Sequence, residues 1–335
     1  MLDDRKAAIL RAVVEVYIDT AQPVGSSHVV RAAPIDVSSA TVRNEMAALE
    51  REGYLVQPHT SAGRIPTDRG YRFFVDNLQP GTLGAPQRQQ VRDFFSHAHG
   101  ELEQMLAETS RLLSNVTDHT AVVVAPAAEA ASVRSLQLVG LAARTVLLVA
   151  VLSNGAVEKR TIDLRTDGEI GEERISAAGA HLSSWLVGLP LTDVPATIVA
   201  TGDQVTDELV GVALGSLRHQ QSDETDHVFV GGAARTAAAF EAVNTVRDVL
   251  AILEQQLVIV SLLRDVIDRG LSVAIGAETG LAPLAECSVV VAPYEIEGEQ
   301  TGTIGILGPT RMNYPQALAA VAAVSQRLGR RLSEG

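Results

Sequence analysis

The residues best suited to chemistry lie in one short segment, residues 38–55, with the sequence SSATVRNEMAALEREGYL. Ser38 is a typical helix N-cap and Gly53 a typical residue beyond a helix C-terminus, so the segment predicts a helix between them.

The two faces of this predicted helix differ in character. At 100° per residue, one face carries Val42, Met46 and Leu49. The opposite arc carries Ala40, Asn44, Ala47 and Arg51, with Arg43 at its flank. Arginine and asparagine can form paired hydrogen bonds with guanine and adenine edges, and alanine permits close approach. The arc favours base reading over the alternative of a plain solvated face.

A second segment follows at residues 59–67, with the sequence HTSAGRIPT. It is a short loop with one glycine, one arginine and no acid, which suits phosphate binding through backbone N–H groups and a guanidinium. On this interpretation, base reading is assigned to Arg43, Asn44, Ala40 and Ala47. Contacts with the DNA backbone are assigned to Ser38, Ser39, Thr41, Arg51, His59, Thr60, Ser61, Gly63 and Arg64.

The elements around these segments predict a small DNA-binding unit. Residues 3–19 carry one apolar helical stripe, residues 22–26 form a turn, and a second short helix follows through Arg31. After the third helix, residues 54–57 have strand character, and residues 70–75 can return as a strand or a short helix. Three helices followed by a small hairpin are typical of a winged helix-turn-helix, here assigned to residues 1–76.

Composition limits the classes of protein to consider. The 335 residues carry a net charge of −13, but residues 1–80 contribute only −1, which leaves a local DNA-reading surface possible. No apolar run approaches the roughly 18–20 residues of a membrane span, and the start of the chain lacks the layout of a secretion signal. The single cysteine, Cys287, excludes an intrachain disulfide framework. These features predict a soluble cytoplasmic protein with no membrane association.

The remainder of the chain predicts an α+β, multidomain protein. Residues 77–90 are rich in Gly and Pro and are assigned to a linker. A helix with a coiled-coil-like seam over residues 91–116, strands up to residue 164, and helices and strands over 240–335 indicate a discontinuous α+β domain of the sensor type. The intervening residues 165–239 lack clean strands and are assigned to an inserted module.

Candidate catalytic and metal sites have simpler explanations. Gly302, Gly305 and Gly308 do not match a dinucleotide-binding fingerprint, and neither a P-loop nor a G-x-S-x-G motif occurs. His97 and His99 point to different sides of a helix, and residues 223–227 are better explained as an exposed acidic turn than as a cation site. Cys287, at the start of an apolar strand, is interpreted as a small core residue. The sequence predicts no enzyme activity, no metal and no cofactor.

Four stretches closely resemble the bacterial heat-inducible transcription repressor family HrcA. They are ILRAVVEVYIDTAQPVGS (9–26), VSSATVRNEMAALEREGYLVQPHTSAGRIPTDRGYRFFVD (37–76), CSVVVAPY (287–294) and GTIGILGPTRMNY (302–314). The similarity is nearly continuous over residues 5–76, strong again over about 285–315, and weak between them. It implies a dimeric repressor of chaperone operons with a winged-helix domain, a GAF-like domain over 91–164 and 240–335, and a dimerisation domain inserted at 165–239. It also implies an inverted-repeat operator and activity supported by the chaperonin GroEL.

Two hypotheses about the signal remain open at this point. In the first, the sensor-type domain binds nothing, and the folded fraction of the protein sets operator occupancy, since segments such as VLLVAVL (146–152) are prone to aggregate when exposed. In the second, the GAF-like domain binds a small effector, and the protein is a metabolite-responsive regulator. An enzyme with a DNA-binding tail is disfavoured because no set of nucleophile, base and metal ligands converges.

Overall fold

The computed structural model describes residues 2–32, 37–59, 62–78, 81–97, 102–125, 131–153, 157–164, 170–218, 228–235, 240, 243–269, 272–296 and 299–334; of 243–244 and 299–300 it describes the backbone. Its helices are α1 (Asp4–Thr20), α2 (Ser26–Ala32), α3 (Ser39–Arg51), α4 (Asp68–Asp76), α5 (Ala85–His97), α6 (Leu102–Thr117), α7 (Glu172–Leu186), α8 (Gln204–Arg218), α9 (Val243–Glu254), α10 (Gln256–Asp268) and α11 (Tyr314–Glu334). Its strands are β1 (Leu55–Val56), β2 (Ile65–Pro66), β3 (Thr120–Val124), β4 (Val133–Ala142), β5 (Thr145–Leu152), β6 (Val157–Asp163), β7 (Val228–Gly231), β8 (Val273–Ile275), β9 (Cys287–Ile296) and β10 (Glu299–Pro309).

The N-terminal unit consists of α1 to α4 and a small antiparallel hairpin, β1 and β2. Side-chain caps define its helices: Asp3 accepts a hydrogen bond from the Lys6 N–H, and Ser38 accepts one from the Thr41 N–H. The predicted third helix is therefore confirmed as α3. Buried residues of α1 and α3 form its interior, including Ile9, Leu10, Val13, Val42, Met46 and Leu49.

The second unit is a five-stranded antiparallel sheet with helices on both faces, in the strand order β7-β3-β10-β9-β8. Strand alternation explains the two layers, because successive side chains point to opposite faces. Ala121 and Val123 of β3 share a core with α6, α11 and the N-terminal unit. Val122 and Val124 share a separate core with α9 and α10. The mixture of helices and sheet confirms the predicted α+β class.

A third unit has its own sheet, β4-β5-β6, and its own core. On β5, Val146, Leu148, Ala150 and Leu152 are buried, and they pack in one cluster with residues of α7 and α8. This core spans residues 131–217. The expected boundary at residue 165 does not coincide with it, because the strands of 133–163 pack with α7 and α8 and not with the five-stranded sheet.

Several elements differ from the sequence expectations in their limits. The helix α5 begins at Ala85, inside the segment 77–90 predicted as linker, and α5 and α6 occupy the predicted seam helix. Residues 70–75, predicted as a strand or a short helix, lie in the helix α4, and the second strand of the hairpin is β2. The predicted long helix over 240–269 is divided at Gln255 into α9 and α10. No helix in the described part of the chain is long and apolar enough to cross a bilayer.

Candidate nucleic-acid interface

The exposed arc of α3 carries the side chains that the sequence assigned to base reading. Arg43, Asn44 and Ala40 are exposed and Ala47 is half-buried, while the opposite face of the helix is fully buried. Within the part of the chain that the structure describes, neither Arg43 nor Asn44 forms a side-chain hydrogen bond or ion pair. Arg51, exposed one helical turn from Ala47, donates from Nε to its carbonyl oxygen at 3.4 Å. Two side chains with base-reading chemistry are therefore free to meet a ligand.

Hydroxyl groups fix the N-terminus of α3. The Ser38 Oγ accepts from the Thr41 N–H at 3.2 Å and lies 3.0 Å from the Thr41 Oγ1. The Ser39 Oγ lies 2.8 Å from the Ser26 Oγ at the start of α2. Because the Ser26–Ser39 contact joins the first residues of α2 and α3, it helps to fix the orientation of α3 relative to α2. Ser38, Ser39 and Thr41 therefore position the helix, and the exposed Ser38 and Ser39 also border its N-terminus.

The loop between β1 and β2 is held against the turn between α1 and α2. Val24 and Arg64 exchange two backbone hydrogen bonds, each of 2.9 Å. Gly63 permits this contact, because a Cβ atom there would lie 2.5 Å from the Val24 carbonyl oxygen. His59 is exposed nearby, and Thr60 and Ser61, assigned to the backbone contacts, lie outside the described residues. The loop is thus anchored at its base to the turn between α1 and α2.

Arg64 differs from the expectation that it faces phosphate. Its Nε donates to the Glu50 carboxylate at 2.9 Å, and only 14% of its side chain is exposed. The guanidinium is neutralised by an acid on α3 and held under the loop. In this arrangement Arg64 joins the loop to α3.

A set of residues that sequence reasoning missed fixes the C-terminus of α3. Arg69 donates to the Glu52 carbonyl oxygen at 2.8 Å and lies 4.4 Å from the centre of the Tyr54 ring. Thr67 donates to the Gly53 carbonyl oxygen at 2.7 Å and also caps α4 by accepting from the Gly70 N–H. The sequence does contain a pattern that indicates the α4 cap: Thr67 and Asp68 stand directly before an apolar helical stripe.

The helix α4 joins the N-terminal unit to the five-stranded sheet. Arg72 donates through Nε to one Glu278 oxygen at 2.9 Å and through Nη2 to the other, and Nη2 also donates to the Val273 carbonyl oxygen at 2.7 Å. The Asp68 carboxylate accepts from the Ala277 N–H at 3.2 Å. Hydrogen bonding to Glu278 raises the pKa of Arg72. We call these contacts the α4 clamp; they link residues about two hundred positions apart in the chain.

Residues 103–318 match the family model described as the HrcA protein C-terminal domain. The heat-inducible transcription repressor HrcA of Streptomyces avermitilis is 39% identical over 342 residues and is covered completely, as is this chain. That of Pseudarthrobacter chlorophenolicus is 40% identical over 340 residues, covering 98% of this chain and 99% of the relative. The chain belongs to the HrcA family.

A solved structure supports the HrcA fold described above. The crystal structure of a hypothetical protein matches with a TM-score of 0.64 and 22% identity, covering 99% of this chain and 98% of that one. The family is one of heat-inducible transcription repressors, and no enzyme family is indicated. His97 of this HrcA chain is exposed, with its Nδ1 2.8 Å from the Asp93 carbonyl oxygen. His99 and residues 223–227 lie outside the described residues.

Proposed function

We propose that this protein is a dimeric repressor of chaperone operons that reads an inverted-repeat operator with α3. The observation that carries the proposal is the free Arg43 and Asn44 on a helix whose other face is buried. In a winged helix-turn-helix, such a helix enters the major groove. Arg43 and Asn44 would pair with guanine and adenine edges, while Ala40 and Ala47 allow the helix to approach.

The neighbouring residues supply contacts that carry no sequence information. The N-terminus of α3, with Ser38, Ser39 and Thr41, offers hydroxyl and N–H groups to a phosphate. Arg51 at the far end of α3 and the loop residues His59, Thr60, Ser61 and Gly63 would contact the DNA backbone on either side. Arg64 would act indirectly by holding the loop against α3.

The two other units are proposed to be a GAF-like domain and an inserted dimerisation domain. The division of the hydrophobic cores supports an inserted domain over residues 131–218, between the parts of the five-stranded sheet unit. The outward face of the β4-β5-β6 sheet is apolar at its centre. Val139 and Leu141 are 44% and 57% exposed, and Leu147 and Val149 beside them are half-buried. A contiguous apolar face of this kind favours association, and pairing of two copies would match a two-fold operator.

Heat is proposed to act through the folded fraction of the protein. Loss of the folded dimer lowers operator occupancy by mass action, with no effector required. Apolar strands such as β5, once exposed, would bind the chaperonin GroEL or aggregate. Damaged proteins that occupy GroEL would then leave the repressor unfolded and the chaperone genes derepressed.

A gel-shift panel with single-base operator variants tests the base-reading role. Arg43→Ala and Asn44→Ala should each reduce the binding free energy for the operator by about 1–3 kcal/mol. Each should also relax the base preference at particular operator positions. Arg92→Ala, an exposed arginine on α5, is the matched control and should bind as the wild type does. Equal losses on operator and random DNA would exclude Arg43 as a base reader.

The chaperonin link has its own test. Purified GroEL with ATP is titrated into dilute repressor and labelled operator across the heat-shock range, and an unfolded competitor is then added. Occupancy should rise with GroEL and fall with the competitor. Occupancy that ignores both additions would show that supply of folded repressor is not the signal.

A further inference from the structure

A cavity of about 210 Å³ lies between α10 and the five-stranded sheet, near the end of β3. Its apolar wall consists of Val124 on the sheet and of Val260, Leu263 and Ile267 on α10. Arg264 and Asp268 are the exposed members of its lining, so they mark its mouth. The volume is far above the roughly 10–15 Å³ that one water needs and below the roughly 300–1,000 Å³ of drug-sized sites. The cavity therefore suits a small molecule.

The sheet side of the cavity has an irregularity that places Thr301 in its lining. The pairing of β10 with β9 shifts register between Gln300 and Gly302, which leaves Thr301 as the extra residue of a β-bulge. Its Oγ1 is buried and has no hydrogen-bond partner among the described residues. Buried hydroxyl groups are normally hydrogen-bonded, so a rotation of the Thr301 side chain toward the cavity would let a ligand supply the missing partner.

The neighbouring position, Gly302, is fixed by close packing behind the cavity. A Cβ atom there would lie 2.3 Å from the Tyr294 hydroxyl oxygen, and that hydroxyl donates to the Val124 carbonyl oxygen at 2.8 Å. The backbone at the bulge therefore rests against a buried tyrosine. This packing holds the backbone of Thr301 in place, and its hydroxyl has no hydrogen-bond partner among the described residues.

The charged groups at the mouth also have no side-chain partner among the residues that the structure describes. Arg264 and Asp268 are one turn apart on α10, yet no ion pair joins them in the described structure. A ligand anion can bind the guanidinium at one side of the mouth. Asp268 on the other side would repel a second negative charge, so a monoanion or a zwitterion is favoured over a phosphate dianion.

We propose that this cavity binds a small aliphatic carboxylate. Arg264 binds the carboxylate, the Thr301 hydroxyl donates a hydrogen bond to it, and the aliphatic body lies against Val124, Val260 and Leu263. Two sources share this chemistry: a simple aliphatic acid, and an α-amino acid whose ammonium group would meet Asp268. The site goes beyond the proposed operator binding and does not depend on it.

The full-length protein, without DNA, is titrated by calorimetry and by thermal shift with butyrate, valerate, alanine, valine, leucine and inorganic phosphate. Saturable binding and a raised melting temperature are expected with the aliphatic acids or with the amino acids, and the two arms distinguish the sources. Arg264→Gln should weaken binding at least about tenfold through loss of the charge-assisted bond. Arg247→Gln, an exposed arginine on α9, is the matched control and should leave affinity unchanged.

Thr301→Val tests the site by a second substitution that should not impair folding. It keeps the shape of the side chain and removes a hydroxyl that makes no bond, so the melting temperature without ligand should not fall. Ligand affinity should fall by about fivefold, the value of one hydrogen bond. The assignment is overturned if none of the carboxylates binds, if phosphate alone binds, or if binding survives Arg264→Gln. Because no DNA is present, each of those outcomes leaves the operator-binding proposal standing.

Discussion

Replacing Arg72 by alanine measures how firmly the α4 clamp holds the N-terminal unit against the five-stranded sheet. The change removes both bonds to Glu278, the bond to the Val273 carbonyl oxygen and an i,i+4 contact with Asp76 at 3.2 Å. Glu278 keeps one partner, the Ile275 N–H at 3.0 Å. The Glu278 carboxylate therefore loses its two bonds to Arg72 but still accepts one backbone hydrogen bond.

The magnitude follows from the number and exposure of these bonds. Hydrogen bonds to charged groups contribute about 1.5–3 kcal/mol each when buried. The Arg72 and Glu278 side chains are 21% and 31% exposed, so solvent screening reduces that figure. We expect Arg72→Ala to lower the free energy of unfolding by about 2–3 kcal/mol, with a coupling energy between Arg72 and Glu278 of about 1–2 kcal/mol.

A double-mutant cycle over Arg72→Ala and Glu278→Ala provides the assay. Denaturant unfolding gives the four free energies, and limited proteolysis between α4 and α5 reports separation of the two units. Operator occupancy should be lost at a lower temperature in Arg72→Ala, because an undocked unit presents α3 less rigidly to each half-site. Arg111→Ala, an exposed arginine on α6, is the matched control. A coupling energy below about 0.5 kcal/mol with unchanged proteolysis would refute the clamp, since independent sites couple no more strongly.

Three further predictions concern the loop, the open sheet face and the half-buried His119. Gly63→Ala should weaken gel-shift binding to operator and random DNA alike, because its Cβ atom would meet Val24, whereas Gly211→Ala on α8 meets nothing within 4 Å and should bind normally. Leu147→Glu places a charge on the outward face of the β4-β5-β6 sheet, so the variant should sediment as a monomer with reduced operator affinity. A variant that remains dimeric would exclude that face as the dimer interface. Burial lowers the pKa of His119, so the unfolded state binds a proton more readily and stability should fall as pH drops below about 6.5. Thermal melts of His119→Gln should show a smaller loss over that range, and an equal loss would contradict the assignment.

Local features of the sequence predicted α3 and the arc it exposes. A serine cap, a 3.6-residue apolar period and a glycine beyond the C-terminus all act within the segment itself, and the structure has Ser38, Val42 and Gly53 in those roles. Periodicity also separates the two faces of a helix, so the exposure of Arg43 and Asn44 could be predicted without knowing what packs behind them.

Contacts between distant segments could not be predicted in the same way. Arg64 is cationic in a polar loop, and its pairing with Glu50 depends on how the hairpin folds back over α3. The α4 clamp joins Arg72 to a carboxylate 206 residues away, and no local pattern indicates such a partner. For the same reason the strands β4 to β6 were assigned to the sensor-type domain. Their apolar alternation resembles that of the other sheet, and only the packing of α7 and α8 separates them.

Whether the folded fraction of the protein sets operator occupancy can be measured by following Cys287 and operator binding in one sample. Cys287 is fully buried at the start of β9, and burial raises the pKa of its thiol to about 12, so the folded protein should resist a thiol reagent. Opening of the sheet core would expose it. As temperature rises through the heat-shock range, thiol labelling should increase in step with loss of operator binding. Loss of operator binding while Cys287 stays protected would contradict the account.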